Sequence, residues 1–444
     1  MELSFHGGAR DVTGACYLLK TAKTKILVDC GLFQGCEECP ALNREKFAFD
    51  PSTIDALFVT HGHVDHIGRI PKLVKEGFHG KIYSTSPTKG ISRVLLEDAH
   101  HIEEREGGAL YDESHIASAL KLWEGIPYGK RIQAGDIAVE FRNAGHILGS
   151  AFIELWTEGR HILFTGDFGN SPSILLPEPE PVKGIDYLII ESTYGNRTHE
   201  SDAERRVELE RAVEDAASRR GTLIIPAFAT ERTQDILFLL NQMLAERRIP
   251  DIPMFVDSPL AIKVTKVFEA YPSHYREEIK KLYVSHPHLF QFKKLRLTES
   301  VEDSKRINDV PQPKVVIAGS GMMTGGRILH HLRRYLGDSK SIVVVVGYQA
   351  AGSLGRRLLE GETRVKILGD GIDVRAEIRK ISGFSAHADN PQLFSFVEQT
   401  RETLKRVFVV QGEDAEALHL VGEIRDRLGI PASAPMLHDV VEFS

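Results

Sequence analysis

Residues 59–70 read VTHGHVDHIGRI and place His61, His63, Asp65 and His66 within six positions. Three imidazoles and a carboxylate are costly to hold so close together unless a cation neutralises them. Imidazole nitrogen and carboxylate oxygen suit zinc, whereas thiolates would point to a closed structural site. A lone histidine is more often structural than a ligand, but four metal-competent residues in six positions reverse that expectation. The stretch follows a strand-like run, so it belongs in a loop where side chains converge. His61 and His63, two apart on extended backbone, point the same way, and Asp65 with His66 begins the following turn.

Other strand-like runs carry polar groups at their far ends. KILVDCG (25–31) carries Asp29, AVEFRNAGH (138–146) ends on His146, HILFTGD (161–167) on Asp167, and DYLIIEST (186–193) holds Glu191. Each reads as a buried strand with a polar terminus. From about residue 200 the pattern changes. SDAERRVELERAVEDAASRRG reads as a charged amphipathic helix with Ser201 and Asp202 as caps. Strand–helix alternations follow, such as TLIIPAF with ERTQDILFLLNQMLAERR and VVIAGSG with RILHHLRRYLG, and they imply a parallel sheet covered on both faces. After residue 380, ISGFSAHAD, RVFVVQGED and a helix over 415–428 return to the earlier style. The expectation is one domain interrupted by another, with bounds 1–196, 197–379 and 380–444.

A chain of 444 residues exceeds one ordinary core. Hydrophobic residues at 42% and charged residues at 26% describe a globular protein. No apolar run reaches the length of about 18 residues that a membrane helix needs, so no membrane partner is expected. The opening MELSFHGGAR lacks a basic-then-apolar signal region and reads as a first strand. A net charge of −7 argues against a broadly basic nucleic-acid binder, yet leaves room for a local basic groove or a bound cation. Four cysteines, Cys16, Cys30, Cys36 and Cys39, are too few for a disulfide framework, and a reducing cytoplasm is expected. CEEC at 36–39 has the spacing of half a zinc knuckle or a redox pair, but lacks a second pair, so neither use is expected.

The HxHxDH stretch resembles the signature of the metallo-β-lactamase superfamily. Asp29 matches that family's first motif, an aspartate that orients the loop; His146 in NAGHILGS matches the third and Asp167 in FTGDFGN the fourth. The resemblance implies an αββα sandwich holding one zinc on His61, His63 and His146 and a second on Asp65 and His66, with Asp167 shared. Two ions about 3.5–4 Å apart can activate a water and clamp both sides of a displacement at phosphorus. The inserted segment resembles the β-CASP domain of RNA- and DNA-processing nucleases, an α/β domain on a mainly parallel sheet flanked by helices. Glu191 in IIESTYGNR falls on its acidic motif A and His387 in GFSAHADN on its motif B histidine. The stretches PAFATERTQDIL, VDSPLA, GSGMMTGGR and GYQAAGSLGRRLLEG also resemble this group, which includes the prokaryotic relatives of the endonuclease subunit of the cleavage and polyadenylation factor.

The implied function is a zinc-dependent phosphodiesterase cleaving single-stranded RNA, as endonuclease, 5′-exonuclease or both. His387 is expected at the scissile phosphate as general acid, oriented by Glu191, with Asp65 the third catalytic residue. GSGMMTGGRILHHL sets glycines before a helix start, which makes Ser320, Thr324 and Arg327 candidate phosphate contacts. Arg356 and Arg357 read first as solvated helix arginines. Motif C departs from the family: VVQGED puts Gln411 where a histidine usually completes the second zinc site, and a neutral amide is a poor ligand beside imidazole. His419, eight residues on, is not expected to substitute. The second site is therefore expected to be weakened, with one or two zinc ions per chain, and a catalytically impaired RNA-binding or assembly subunit is the alternative. An esterase or lactamase on the same scaffold is disfavoured by the insertion with Glu191 and His387. DNA as a substrate, and a homodimer, stay open.

Overall fold

The computed structural model of the chain describes all residues except Glu106, Glu200, Ser201, Tyr348, Ala351, Ser382 and Ser444, and of Asp202 and Ala203 only the backbone. The cap expected of Ser201 and the Asp202 side chain thus lies outside the described residues. The chain forms two compact units, Met1–Thr198 with Ala386–Ser444, and His199–Ser385.

The first unit is built on two seven-stranded sheets. In one, the neighbours run Val440–Glu442, Glu2–Phe5, Tyr17–Lys20, Lys25–Val28, Ala56–Phe58, Lys81–Ser84 and Trp123–Gly125. In the other they run Ala432–Ser433, Arg406–Val410, Tyr187–Glu191, Arg160–Phe164, Ala151–Thr157, Ile137–Asn143 and Ile132–Ala134. Successive strand residues face opposite sides, so one parity of each sheet meets the other sheet. Phe5, Val28 and Phe58 from the first sheet share a core with Phe141, Ile153, Phe164 and Ile189 from the second. The opposite parity of the second sheet, including Leu163, Leu188 and Val409, packs on Leu393, Val397 and Leu420 of the helices Asn390–Thr400 and Asp414–Glu423. Helices Ser86–Arg105 and Glu113–Leu122 lie against the first sheet. The layers are helix, sheet, sheet, helix, as expected of the αββα sandwich. The C-terminal Val440–Glu442 closes the first sheet by antiparallel pairing with the N-terminal strand.

Parallel pairing decides where this unit can do chemistry. Strands Arg160–Phe164, Tyr187–Glu191 and Arg406–Val410 run parallel, with Glu191 beside Val410 in register. Their carboxyl ends therefore deliver Asp167, Glu191 and Gln411 to one rim. Strands Lys25–Val28 and Ala56–Phe58, also parallel, deliver Asp29 and the histidine loop from the other sheet.

The second unit carries a six-stranded sheet in the order Leu295–Leu297, Met254–Asp257, Lys314–Ala318, Thr222–Pro226, Ile342–Val345, Glu377–Lys380. Every pairing in it is parallel. Helices such as Arg232–Ala245 and Ile328–Tyr335 follow its strands, as the strand–helix alternation requires.

At one strand end of this unit Asp257 is fully buried. Its Oδ1 accepts from Thr298 Oγ1 and Arg327, each at 2.7 Å, and its Oδ2 from Ser304 Oγ at 2.6 Å and His331 Nε2 at 2.7 Å. Burial opposes the charge, but the bonds from His331, Ser304, Thr298 and Arg327 outweigh it and bring the pKa down from 3.8 to about 2. A depressed carboxylate stabilises the fold above its unfolded pKa, and that stability disappears as pH falls through the folded value. Asp257→Asn is expected to cost about 2 kcal/mol at pH 7. The deficit should narrow as pH drops from about 4 towards 2, measured by urea unfolding at several pH values.

CEEC corrects the cysteine expectation. Cys36 and Cys39 are joined as a disulfide with 5.2 Å between Cα atoms, at the start of helix Cys39–Arg44. Cys16 and Cys30 are free and buried. No described helix is long and apolar enough to cross a membrane.

Candidate metal centre

Four nitrogen and oxygen atoms converge where the two parallel rims meet. His63 Nδ1 lies 3.1 Å from His61 Nε2 and 3.3 Å from His146 Nε2. Asp167 Oδ2 lies 3.3 Å from His61 Nε2 and 3.4 Å from His146 Nε2. Tetrahedral ligands about 2.0–2.1 Å from a zinc ion sit roughly 3.3–3.4 Å from one another. The donor set and its spacing thus fit a tetrahedral cation. Burial, and then neighbouring His61, push the His63 imidazole well below its ordinary range. Burial and then His387 do the same to His146. Neutral rings with free lone pairs are what a cation needs.

A second group shares Asp167. His66 Nε2 lies 3.2 Å from Asp167 Oδ1 and 3.6 Å from Asp65 Oδ2. The three residues make one of the clusters able to hold a metal ion. Burial disfavours charge on His66, yet Asp167, Asp29 and Asp65 outweigh it and hold its pKa well above the ordinary range. Asp65 and His66 lie on the short helix Val64–Ile67 that turns directly out of the histidine loop.

The support for these ligands is a hydrogen-bonded frame. Asp29, fully buried, accepts from Thr60 N at 2.8 Å, Thr60 Oγ1 at 2.7 Å and His66 Nδ1 at 2.7 Å. His146 Nδ1 sits 3.1 Å from the carbonyl of Ala386, which directs its Nε2 inwards. Ser150 Oγ accepts from His146 N at 3.0 Å and fixes the turn. Gly31 lets the strand end pass beneath the helix, because a Cβ there would fall 1.5 Å from Asp65 O.

His387 faces this cluster. Its Nδ1 is 3.1 and 3.2 Å from the two oxygens of Glu191, and its Nε2 is 3.9 Å from Asp167 Oδ2. Its ring lies 4.5 Å from that of His146. Glu191, fully buried, also accepts from Phe168 N at 2.5 Å and Thr193 N at 3.2 Å. The segment carrying His387 is pinned by Asn170 N to Ala386 O and Ala388 N to Phe168 O, both 2.8 Å. Burial works against a charged His387, but Glu191 and then Asp167 outweigh it and hold the pKa up at about 9. The arrangement places an imidazole, held at Nδ1 by Glu191, beside a cation position.

Gln411 lies at the same rim, with its side-chain nitrogen 2.9 Å from His66 Nε2. His419 is half exposed on its helix, 3.6 Å from Glu423. Ser320, Thr324 and Arg327 belong to the second unit. There Ser320 Oγ accepts from Thr324 N at 3.1 Å and Gly325 N at 3.3 Å. Arg327 donates to Asp257 and to the carbonyls of Thr298 and Glu299. Arg356 pairs with Glu360 and Arg357 with Glu362. Sequence reasoning passed over Thr60, whose hydroxyl lies 3.1 Å from His61 Nδ1 while bonding Asp29. Its signal was a hydroxyl immediately before the HxH pair.

The chain matches the family models described as metallo-beta-lactamase superfamily over residues 9–227, Beta-Casp domain over 233–358 and Zn-dependent metallo-hydrolase RNA specificity domain over 371–435. It belongs to the metallo-β-lactamase superfamily, in the branch that carries a β-CASP domain. Among its relatives, Ribonuclease TTHA0252 of Thermus thermophilus is 37% identical over 420 residues, 95% of each chain. The RNase J-like protein of Methanocaldococcus jannaschii is 33% identical over 98% of each chain. Transcription termination factor FttA of Methanosarcina mazei is 31% identical over 96% of this chain and 69% of its own length. A solved protein of unknown function from Enterococcus faecalis shares the fold, with a TM-score of 0.59, 12% identity and 99% of each chain covered.

Proposed function

We propose that the chain is a zinc-dependent ribonuclease that cleaves single-stranded RNA. The observation that carries this reading is the ring of His61, His63, His146 and Asp167 donor atoms at tetrahedral spacing, with the Glu191-held imidazole of His387 beside it. The relatives named as ribonucleases and the RNA specificity domain support RNA as the substrate. A cation in the ring supplies Lewis-acid chemistry, polarising the phosphoryl oxygen and acidifying water.

The chain's own residues do the rest. His387 Nδ1 donates to Glu191 at 3.1 Å, and the opposite nitrogen, Nε2, on the side of Asp167, delivers its proton to the leaving oxygen as general acid. Glu191 positions that ring and favours its charged form. Asp29 orients His66, and Asp65 faces the cluster as a partly exposed carboxylate. In the inserted domain, for which bounds of 197–379 are retained, Ser320 and Thr324 contact the RNA backbone, and Arg327 acts with them while braced by Asp257. The setting is cytoplasmic.

One observation favours the impaired-subunit reading, namely Gln411 at the motif C position, which weakens the second metal site. RNA labelled at the 5′ or 3′ end separates the two. Chelator-stripped protein should bind without cutting, and added zinc or manganese should restore cutting. Binding without cleavage under any divalent metal would establish the assembly role instead. The two labels report endonucleolytic or 5′-exonucleolytic cutting.

A further inference from the structure

Gln411 is built into the rim rather than merely present there. It is 2% exposed, at a left-handed backbone position with φ of 47°. Its N–H donates to Gly8 O at 2.8 Å, and its carbonyl accepts from Ser192 N at 3.2 Å and Thr193 Oγ1 at 3.1 Å. The backbone is thus held from both sides. The side chain reaches His66, whose opposite nitrogen is already committed to Asp29.

The contact falls on the one His66 nitrogen that a cation could use. With the amide NH2 facing the ring, it donates into the Nε2 lone pair. With the amide turned over, Oε1 would accept from a protonated Nε2, and the lone pair would again be unavailable. Gly8 completes the seat: a Cβ there would lie 2.2 Å from Gln411 Oε1 and 2.5 Å from the Tyr17 hydroxyl. Gly8 is itself at φ of 61°, where L side chains are strained. The other ring of donors, on His61, His63, His146 and Asp167 Oδ2, receives nothing from Gln411 among its described bonds.

We propose that this chain holds a single metal ion, on His61, His63, His146 and Asp167, and that the Gln411 amide, seated over Gly8, occupies His66 in place of a second ion. The proposal rests on the metal-hydrolase reading and makes it mononuclear. Asp65, His66 and Asp167 keep their cluster, but as a hydrogen-bonded group whose fourth member is an amide. Restoring a ligand at position 411 should therefore create a second site without touching the first.

The test is metal stoichiometry by native mass spectrometry and elemental analysis, on full-length protein stripped by chelator and supplied with zinc at two equivalents. The natural chain should retain one ion, and Gln411→His should retain two. Gln411→Glu, which keeps the amide's shape and supplies an anionic oxygen, should also gain the second ion, and it guards against a histidine variant that fails to fold. His66→Ala should still hold one ion. Two ions on the natural chain, or one on a folded Gln411→Glu and Gln411→His pair, would overturn the mononuclear assignment. No ion on the natural chain would overturn the metal-hydrolase reading itself.

Discussion

His387→Ala is expected to lower RNA cleavage by about 10²–10⁴-fold, the range for removal of a positioned general acid. RNA binding and metal content should stay close to those of the natural chain. His387 Nε2 is 3.9 Å from the nearest Asp167 oxygen, outside the ring of donors spaced at 3.1–3.4 Å. Its removal therefore leaves the cation's ligands in place. It does leave the buried Glu191 carboxylate without its imidazole, although Phe168 N and Thr193 N still donate to it. Added imidazole should recover part of the lost rate, because the missing group is a proton donor in a partly open position with 24% side-chain exposure. Cleavage falling in step with metal content would make His387 a ligand and end its assignment as the acid.

Asp167→Ala should have a larger effect on the metal and abolish cleavage. The Asp167 carboxylate is the one side chain common to all three metal-competent clusters among the described residues. Its Oδ2 closes the ring with His61 and His146, and its Oδ1 faces His66. Burial opposes its charge, but His66, His61 and His387 outweigh it and hold its pKa well below the ordinary range. It is the one carboxylate in the ring with His61, His63 and His146. Loss of a supporting partner costs metal affinity roughly 10–100-fold, and loss of this direct ligand should exceed that. Competition with a chromophoric chelator measures the affinity. Asp167→Asn, which keeps the shape but not the charge, should fall between the natural chain and the alanine variant.

Much of the site was legible because its chemistry is local or periodic. HxHxDH compresses its ligands into one loop, and Asp29, His146, Asp167 and Glu191 each stand at or just past the end of a β-branched run. Parallel strands then carry those ends to one rim, which is why sequence order translated into spatial convergence. The parallel sheet of the second unit was legible for the same reason, whereas the layers of the first followed from the family resemblance. What was hidden lies in groups that have no letter of their own. The Ala386 carbonyl directs His146, and the backbone of Gly8 makes room for Gln411. Arg327 also read more simply than it is: glycine before a helix pointed to an anion, while the structure engages its guanidinium with Asp257 and two carbonyls. The use of Cys36 and Cys39 was discounted for want of a second pair, whereas a disulfide needs only the one.

Anomalous X-ray scattering at the zinc edge, from crystals of the zinc-loaded chain, addresses the convergence most directly. One strong peak is expected within bonding distance of His61 Nε2, His63 Nδ1, His146 Nε2 and Asp167 Oδ2. A chain that binds zinc but shows no peak among those four atoms would contradict it.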